Sequence, residues 1–215
     1  MNPNARPEGA AAHVAVFAKA PVPGQVKTRL APLLGEEGAA RLHEALLLRA
    51  LTVATESRVG PVELWCAPDA SHPFFLRCAR DFGVTLHVQQ GADLGARMAT
   101  AFEHARRDGA GLVLIGSDCP ALTPADLQDA AAAVANHDAV FMPAEDGGYV
   151  LVAMARPAPV FEGIEWSVST VMARTRARLG ELGLRWKELR TLWDVDRPED
   201  HARLQGLGWS ARQDA

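Results

Sequence analysis

Gly111-Leu-Val-Leu-Ile-Gly-Ser-Asp-Cys-Pro120 runs from an unbroken apolar block into a loop that carries a single carboxylate. A strand with one wet face alternates apolar and polar residues, whereas a strand covered on both faces does not. Gly111–Ile115 is therefore expected to be a central strand with helices on both sides, and Gly116–Leu122 the loop leaving its carboxyl end. Thr123 can cap a helix that begins at Pro124, which leaves Asp118 free to face a cleft.

The pattern extends outward in both directions. Upstream, the apolar runs 13–18, 62–67 and 84–89 read as strands, with helices expected over 36–56, 72–82 and 94–107. Downstream, 139–142 and 149–153 read as strands flanking Pro143–Gly148, followed by a helix over 168–179, a strand over 184–189 and a helix over 198–205. Strands alternating with helices predict an α/β fold with a largely parallel sheet.

Composition narrows the function classes. A chain of 215 residues, 48% apolar, can bury one substantial core. Its 22 basic and 26 acidic residues give a net charge of −4, which argues against a nucleic-acid or membrane-surface partner. Any phosphate site must then be a local concentration of positive charge. Residues 1–12, polar with Pro3, Pro7 and Gly9, are expected to be a disordered leader, 13–207 a single domain, and 208–215 a tail. With no signal-peptide core or transmembrane-length run, a cytoplasmic location is expected. Three cysteines without a CxxC pair read as reduced thiols. Seven histidines, no two of them four apart, offer no helical zinc pair, and a zinc enzyme is not expected.

Chemistry concentrates in a few loops. Lys19-Ala-Pro-Val-Pro-Gly-Gln-Val-Lys-Thr-Arg-Leu30 follows the first strand and carries three cations, Lys19, Lys27 and Arg29. Ligands of open α/β sheets bind at such strand ends. Pro23 and its neighbour Pro21 stiffen the loop, and Gly24 permits close approach of a ligand. Val26 stands where a Walker A loop needs glycine before Lys27-Thr28, so this is not a P-loop. The loop is expected on the surface, with Lys27 free to meet phosphate. Asp118 suits Mg2+, which takes one or two carboxylates with phosphate and water oxygens.

Pro143-Ala-Glu-Asp-Gly-Gly-Tyr149 is either a hairpin turn, a site edge, or both, with Asp146 as its candidate functional acid. In Trp193-Asp-Val-Asp-Arg-Pro-Glu-Asp200, Glu199 and Asp200 fit the first turn of a helix, and one of Asp194 and Asp196 is left as a second metal ligand. Gln90-Gly-Ala-Asp-Leu-Gly-Ala-Arg-Met98 places Gly91 and Gly95 around a helix start, suited to anion contact, with Arg97 alongside. Glu165-Trp-Ser-Val-Ser-Thr170 offers Trp166 either as a substrate platform or as core packing, and Ser167 or Ser169 as a helix cap.

Taken together and in this order, KAPVPGQVKTRL, QGADLGARM, GSDCPAL, PAEDGGYVL and DVDRPED resemble the DUF2064 proteins of the GT-A, or nucleotide-diphospho-sugar transferase, superfamily. These proteins are also labelled rSAM/selenodomain-associated transferase 1 or arsenosugar-biosynthesis glycosyltransferase-like. The similarity runs from about residue 13 to 204. It implies a Rossmann-like three-layer α/β/α sandwich with a mostly parallel mixed sheet. It also implies that Asp118 takes the place of the superfamily's DxD-type metal aspartate and Asp196 that of a second metal ligand. Lys27 and Arg29 then fall in the loop that holds the triphosphate in nucleotidyltransferases. The segment carries one aspartate where a full DxD has two, and KAPVPG replaces the glycine-rich opening of nucleotidyltransferases.

The resulting expectation is a metal-dependent glycosyltransferase using Mg2+ or Mn2+, a nucleotide-sugar and a small-molecule acceptor. Asp118, Asp146 and Lys27 are its expected catalytic residues. Lys19, Pro23, Gly24, Lys27, Thr28, Arg29, Gly95 and Arg97 would bind the nucleotide and its phosphates, Asp118 and Asp196 the metal. Gly147, Gly148, Tyr149 and Trp166 would form the acceptor side. Nucleotidyl transfer from an NTP with pyrophosphate release is the alternative, and a nucleotide-binding module without turnover the third.

Overall fold

The protein is described by a computed structural model over residues 12–208. The leader expected over 1–12 and the tail expected over 208–215 lie, apart from Ala12 and Gly208, outside the described residues.

Among the described residues, seven strands form one sheet: β1 (Ala12–Lys19), β2 (Val62–Ala67), β3 (Thr85–Val88), β4 (Gly111–Gly116), β5 (Ala139–Pro143), β6 (Tyr149–Met154) and β7 (Trp186–Glu188). Their order is β3-β2-β1-β4-β6-β5-β7. The antiparallel pairings are β4 with β6 and β5 with β6, so β6 alone runs against the rest. This is the mostly parallel mixed sheet expected. From β1 the chain first builds outward to β3, then returns to place β4 on the other side of β1. The resulting switch point opens a crevice at the strands' carboxyl ends.

Six α-helices of the described residues, α1 (Ala31–Glu56), α2 (Pro73–Phe82), α3 (Leu94–Arg107), α4 (Pro124–Ala133), α5 (Val171–Glu181) and α6 (Pro198–Gly206), complete the layers. Successive strand residues point to opposite faces. Val14, Val16 and Ala18 of β1 join a core with α1, α2 and α4, while Ala15 and Phe17 join a second core with α3 and α5. Leu112 and Leu114 of β4 alternate likewise with Val113 and Ile115. That two-sided burial explains the unbroken apolar block. A third cluster packs Leu42 and Leu46 of α1 against Trp193, Val195 and Leu204, and holds the segment before α6 in place.

Local sequence sets most boundaries. Thr123 and Asp126 form a capping box at α4, with Pro124 in its first turn. Asp200 accepts from the N–H groups of Asp196 and Arg197, the local structural job expected of it. The helix read from residue 36 is preceded by one more short turn. α1 includes Ala31–Leu34, separated by Gly35 at φ 71°, ψ 163°. α5 starts at Val171, three residues later than expected, because Ser167 adopts φ +65° and the chain turns through Ser169 and Thr170 first. β3 and β7 are shorter than their apolar runs, since each lies at a sheet edge with one partner strand.

Candidate functional site

A cleft of about 910 Å3 opens beyond the carboxyl ends of β1 and β4. Lys19 at the end of β1, Asp118 after β4 and Asp146 and Tyr149 of the β5–β6 hairpin line it, together with Trp166 and Asp194. The segments that carried the sequence motifs thus converge at one end of the sheet.

The cations are arranged unequally. Lys27 was expected to be exposed; it is buried. Its side chain is 4% exposed, and Nζ donates to Asp118 Oδ2 at 2.8 Å, while the Asp118 side chain stays 41% exposed toward the cleft. Lys27 has a left-handed backbone, φ 49°, at the start of a short 3-10 turn, 28–30. A non-glycine residue there costs on the order of 1–3 kcal/mol and persists only where surrounding contacts enforce it. Here Val26 and Leu30 are buried on either side, and the ion pair fixes the ammonium.

His43, which sequence reasoning passed over, stands on the other side of Asp118. Its Nε2 donates to the carbonyl of Lys19 at 2.9 Å, and Nδ1 lies 3.7 Å from Asp118 Oδ1. Burial acts to raise the Asp118 pKa, but Lys27 and His43 outweigh it and hold the carboxyl well below the usual range. Asp118 is thus a fixed carboxylate. Arg29, on the cleft wall, pairs with Asp196. Lys19 also lines the cleft, and it has no acidic partner among the described residues.

The acids show a different imbalance. Val195 donates its N–H to the carbonyl of Asp118 at 2.9 Å, and its side chain is buried, so Asp194 and Asp196 both turn outward. Burial, Asp146 and Asp118 push the Asp194 carboxyl up to about 6. Asp194 therefore feels the other two acids directly, whereas Asp196 is held by Arg29. The spacing of Asp194-Val-Asp196 was the available signal, and it left both residues open. Asp146 Oδ1 accepts from the N–H of Gly148 at 2.8 Å, which organises the hairpin turn, and Asp146 also lines the cleft. Turn and site coincide. Gly147, at φ 91°, accepts a hydrogen bond at its carbonyl from the N–H of Met172, and a Cβ there would fall 1.9 Å from the carbonyl oxygen of Ser169. Only glycine lets the hairpin dock on the start of α5.

Trp166 and Tyr149 form an aromatic wall, their rings edge to face at 6.4 Å. Trp166 Nε1 is a buried donor without a hydrogen-bond partner among the described residues, and Tyr149 Oη is buried beside Thr175. Burial pushes the Tyr149 phenol pKa up, so its proton stays on. Gly95 lies under Trp166: a Cβ would sit 2.7 Å from the indole Cζ2. Gly95 leaves room for the tryptophan ring. The start of α3 is already capped, because Asp93 accepts from the N–H of Ala96 at 2.8 Å and Arg97 folds back onto the carbonyl of Gly91. Pro23, Gly24 and Thr28 are exposed beside the cleft rather than among the residues lining it. Neither Ser167 nor Ser169 caps α5, whose N-cap is Thr170.

Asp118, Asp146 and Asp194 bring three carboxylates to the cleft, and Asp194 feels the charge of the other two.

Fold and cleft together define the class, a transferase of the GT-A, nucleotide-diphospho-sugar type. Within it, residues 50–168 match the family described as an uncharacterized protein conserved in bacteria, DUF2064. The chain belongs to that family. A Desulfovibrio desulfuricans G20 protein described as a candidate nucleotide-diphospho-sugar transferase is 30% identical, with a TM-score of 0.85 over 95% of this chain and 90% of its own. The fold also resembles a Methanothermobacter nucleotidyl transferase (16% identity, TM-score 0.63, 91% and 97% covered). Another likeness is glucosyl-3-phosphoglycerate synthase of Mycobacterium tuberculosis, solved with Mn2+, UDP and glucosyl-3-phosphoglycerate (13%, 0.57, 95% and 77%). None of the curated proteins matches. Among the described residues no helix is long and apolar enough to cross a membrane.

Proposed function

We propose that residues 13–207 form one metal-dependent glycosyltransferase domain that binds a nucleoside-diphosphate sugar and transfers the sugar to a small acceptor. The observation that carries this reading is the meeting of Asp118, Asp146 and Asp194 with Lys19 and Arg29 at the β1–β4 switch point. Carboxylates and cations on one cleft match a metal–diphosphate ligand.

Asp118 and Asp194 would hold Mg2+ or Mn2+, with Asp196 released from Arg29 as a further ligand when diphosphate enters. A divalent cation bound there would neutralise the diphosphate and stabilise the departing nucleoside diphosphate. Lys19 and Arg29 meet the same oxygens. Lys27 keeps Asp118 ionised and aimed. On the far side, the acceptor hydroxyl is held against Trp166 and Tyr149. As its oxygen bonds to the sugar's anomeric carbon and the carbon–oxygen bond to diphosphate breaks, Asp146 takes its proton.

Nucleotidyl transfer is the second reading, favoured by three cations in one stiff loop. Burial of Lys27 against Asp118 leaves Lys19 and Arg29 for phosphate, a set better matched to a diphosphate than to a triphosphate. Product analysis separates the two. Incubation with a panel of nucleotide-sugars and candidate acceptors in Mn2+ should release nucleoside diphosphate. Pyrophosphate release from an NTP, with no nucleotide-sugar consumed, contradicts the first reading and supports the second.

A further inference from the structure

Away from the cleft, four elements bring a second set of polar side chains together beneath α3. Glu63 of β2 is buried, and its Oε1 lies 2.6 Å from His13 Nδ1. Its Oε2 accepts from Trp65 Nε1 at 2.9 Å, and His87 Nε2 stands 3.8 Å from the same oxygen. His104 of α3 closes the group. One ligand atom each from Glu63, His87 and His104 lie within 4.8 Å of one another, and the two imidazole rings are 4.6 Å apart. An opening of about 480 Å3, lined by His87, His104 and Trp65, gives access from solvent. None of the three ligand candidates lines the cleft.

We propose that Glu63, His87 and His104 form a zinc-binding site, separate from the metal position in the cleft. Two imidazoles and one carboxylate are a donor set that zinc accepts with a fourth position open, whereas Mg2+ prefers oxygen alone. Ligand atoms about 2.0–2.2 Å from a tetrahedral ion stand roughly 3.3–3.6 Å apart, so small rotations of His87 and His104 complete the geometry. Those rotations break no strong contact. Neither imidazole has a hydrogen-bond partner among the described residues, and the nearest carboxylate besides Glu63 is Asp108, 3.9 Å from His104 Nε2. The supporting shell is already in place: His13 and Trp65 orient the Glu63 carboxylate, as outer partners orient metal-ligating carboxylates. Trp65 also stacks on His87, with ring centroids 4.8 Å apart. A purely structural cluster would explain the bonds to Glu63 but not two adjacent imidazoles that have no hydrogen-bond partner among the described residues.

Calorimetric titration of the chelator-treated full chain with ZnCl2 tests the site. One zinc per chain is expected at micromolar affinity or tighter, undisturbed by millimolar MgCl2. His104→Ala and Glu63→Gln should each weaken binding at least tenfold, while Asp118→Asn should leave it unchanged. Circular dichroism checks that each variant is folded. Glu63→Gln keeps the shape of the buried side chain, and His104 is on the accessible flank of α3. With CoCl2 as the probe, visible ligand-field bands should form in the wild type and be lost in His87→Asn. Absence of stoichiometric binding overturns the proposal. So does binding that survives undiminished in the His104 and Glu63 variants, or is lost in Asp118→Asn.

Discussion

Lys27 Nζ sits 2.8 Å from Asp118 Oδ2, which ties a buried lysine on the first loop to a carboxylate that follows the fourth strand. The pair joins the two sides of the switch point. Removing the ammonium leaves Asp118 with His43 alone, but solvent reaches the carboxylate, so the loss of stability is smaller than for a fully buried pair.

Lys27→Met keeps the aliphatic packing and deletes the charge. It should cost about 1–2 kcal/mol of stability, read by denaturant unfolding, and lower turnover at least a hundredfold. Unchanged turnover would remove Lys27 from the machinery.

Asp194 carries the pH dependence. Its carboxyl is raised from 3.8 to about 6 in the folded state, so between pH 4 and 6 the folded chain holds a proton that the unfolded chain has released. Stability from this group therefore falls as pH rises through that window. Asp194→Asn should melt several degrees above wild type at pH 7.5, with the difference closing toward pH 4. An equal difference at both pH values would mean that Asp194 is not under this repulsion.

Gly147→Ala places a methyl against the carbonyl of Ser169 and strains a backbone at φ 91°. The melting temperature should fall by about 5 °C or more. A wild-type melting curve would show that the hairpin need not dock on α5.

Gly95→Ala presses on the Trp166 ring without touching phosphate or acids. The expected result is a KM for acceptor raised several-fold and a KM for nucleotide-sugar within twofold of wild type. The reverse pattern would move Trp166 to the nucleotide side.

Much of this architecture was legible before the coordinates. The apolar block 111–115, the strand at 62–67 and the helix at 94–107 were read closely because each core face is filled locally by alternating or helical periodicity. Thr123 revealed its cap through its place directly before Pro124, whereas its reciprocal partner Asp126 was not read from the sequence. The site was harder. Lys27 looks solvated in KTRL, since its burial depends on a partner ninety-one residues later. His43 lies inside a helical apolar stripe, and nothing local marks its contact with Lys19 and Asp118. Alternation around Val195 narrowed the second acid to Asp194 or Asp196, but their different charges depend on Asp146 and Arg29 from elsewhere in the chain. The expectation of no zinc pair failed to anticipate the His87–His104–Glu63 cluster for the same reason. Helical spacing cannot register ligands drawn from two strands and a helix.

The most direct test of the cleft is calorimetric titration of nucleoside-diphosphate sugars into wild type and Asp118→Asn, with and without Mn2+. Binding that needs Mn2+ in the wild type and is lost in Asp118→Asn is the expected result. Equal, metal-independent binding by both proteins would contradict it.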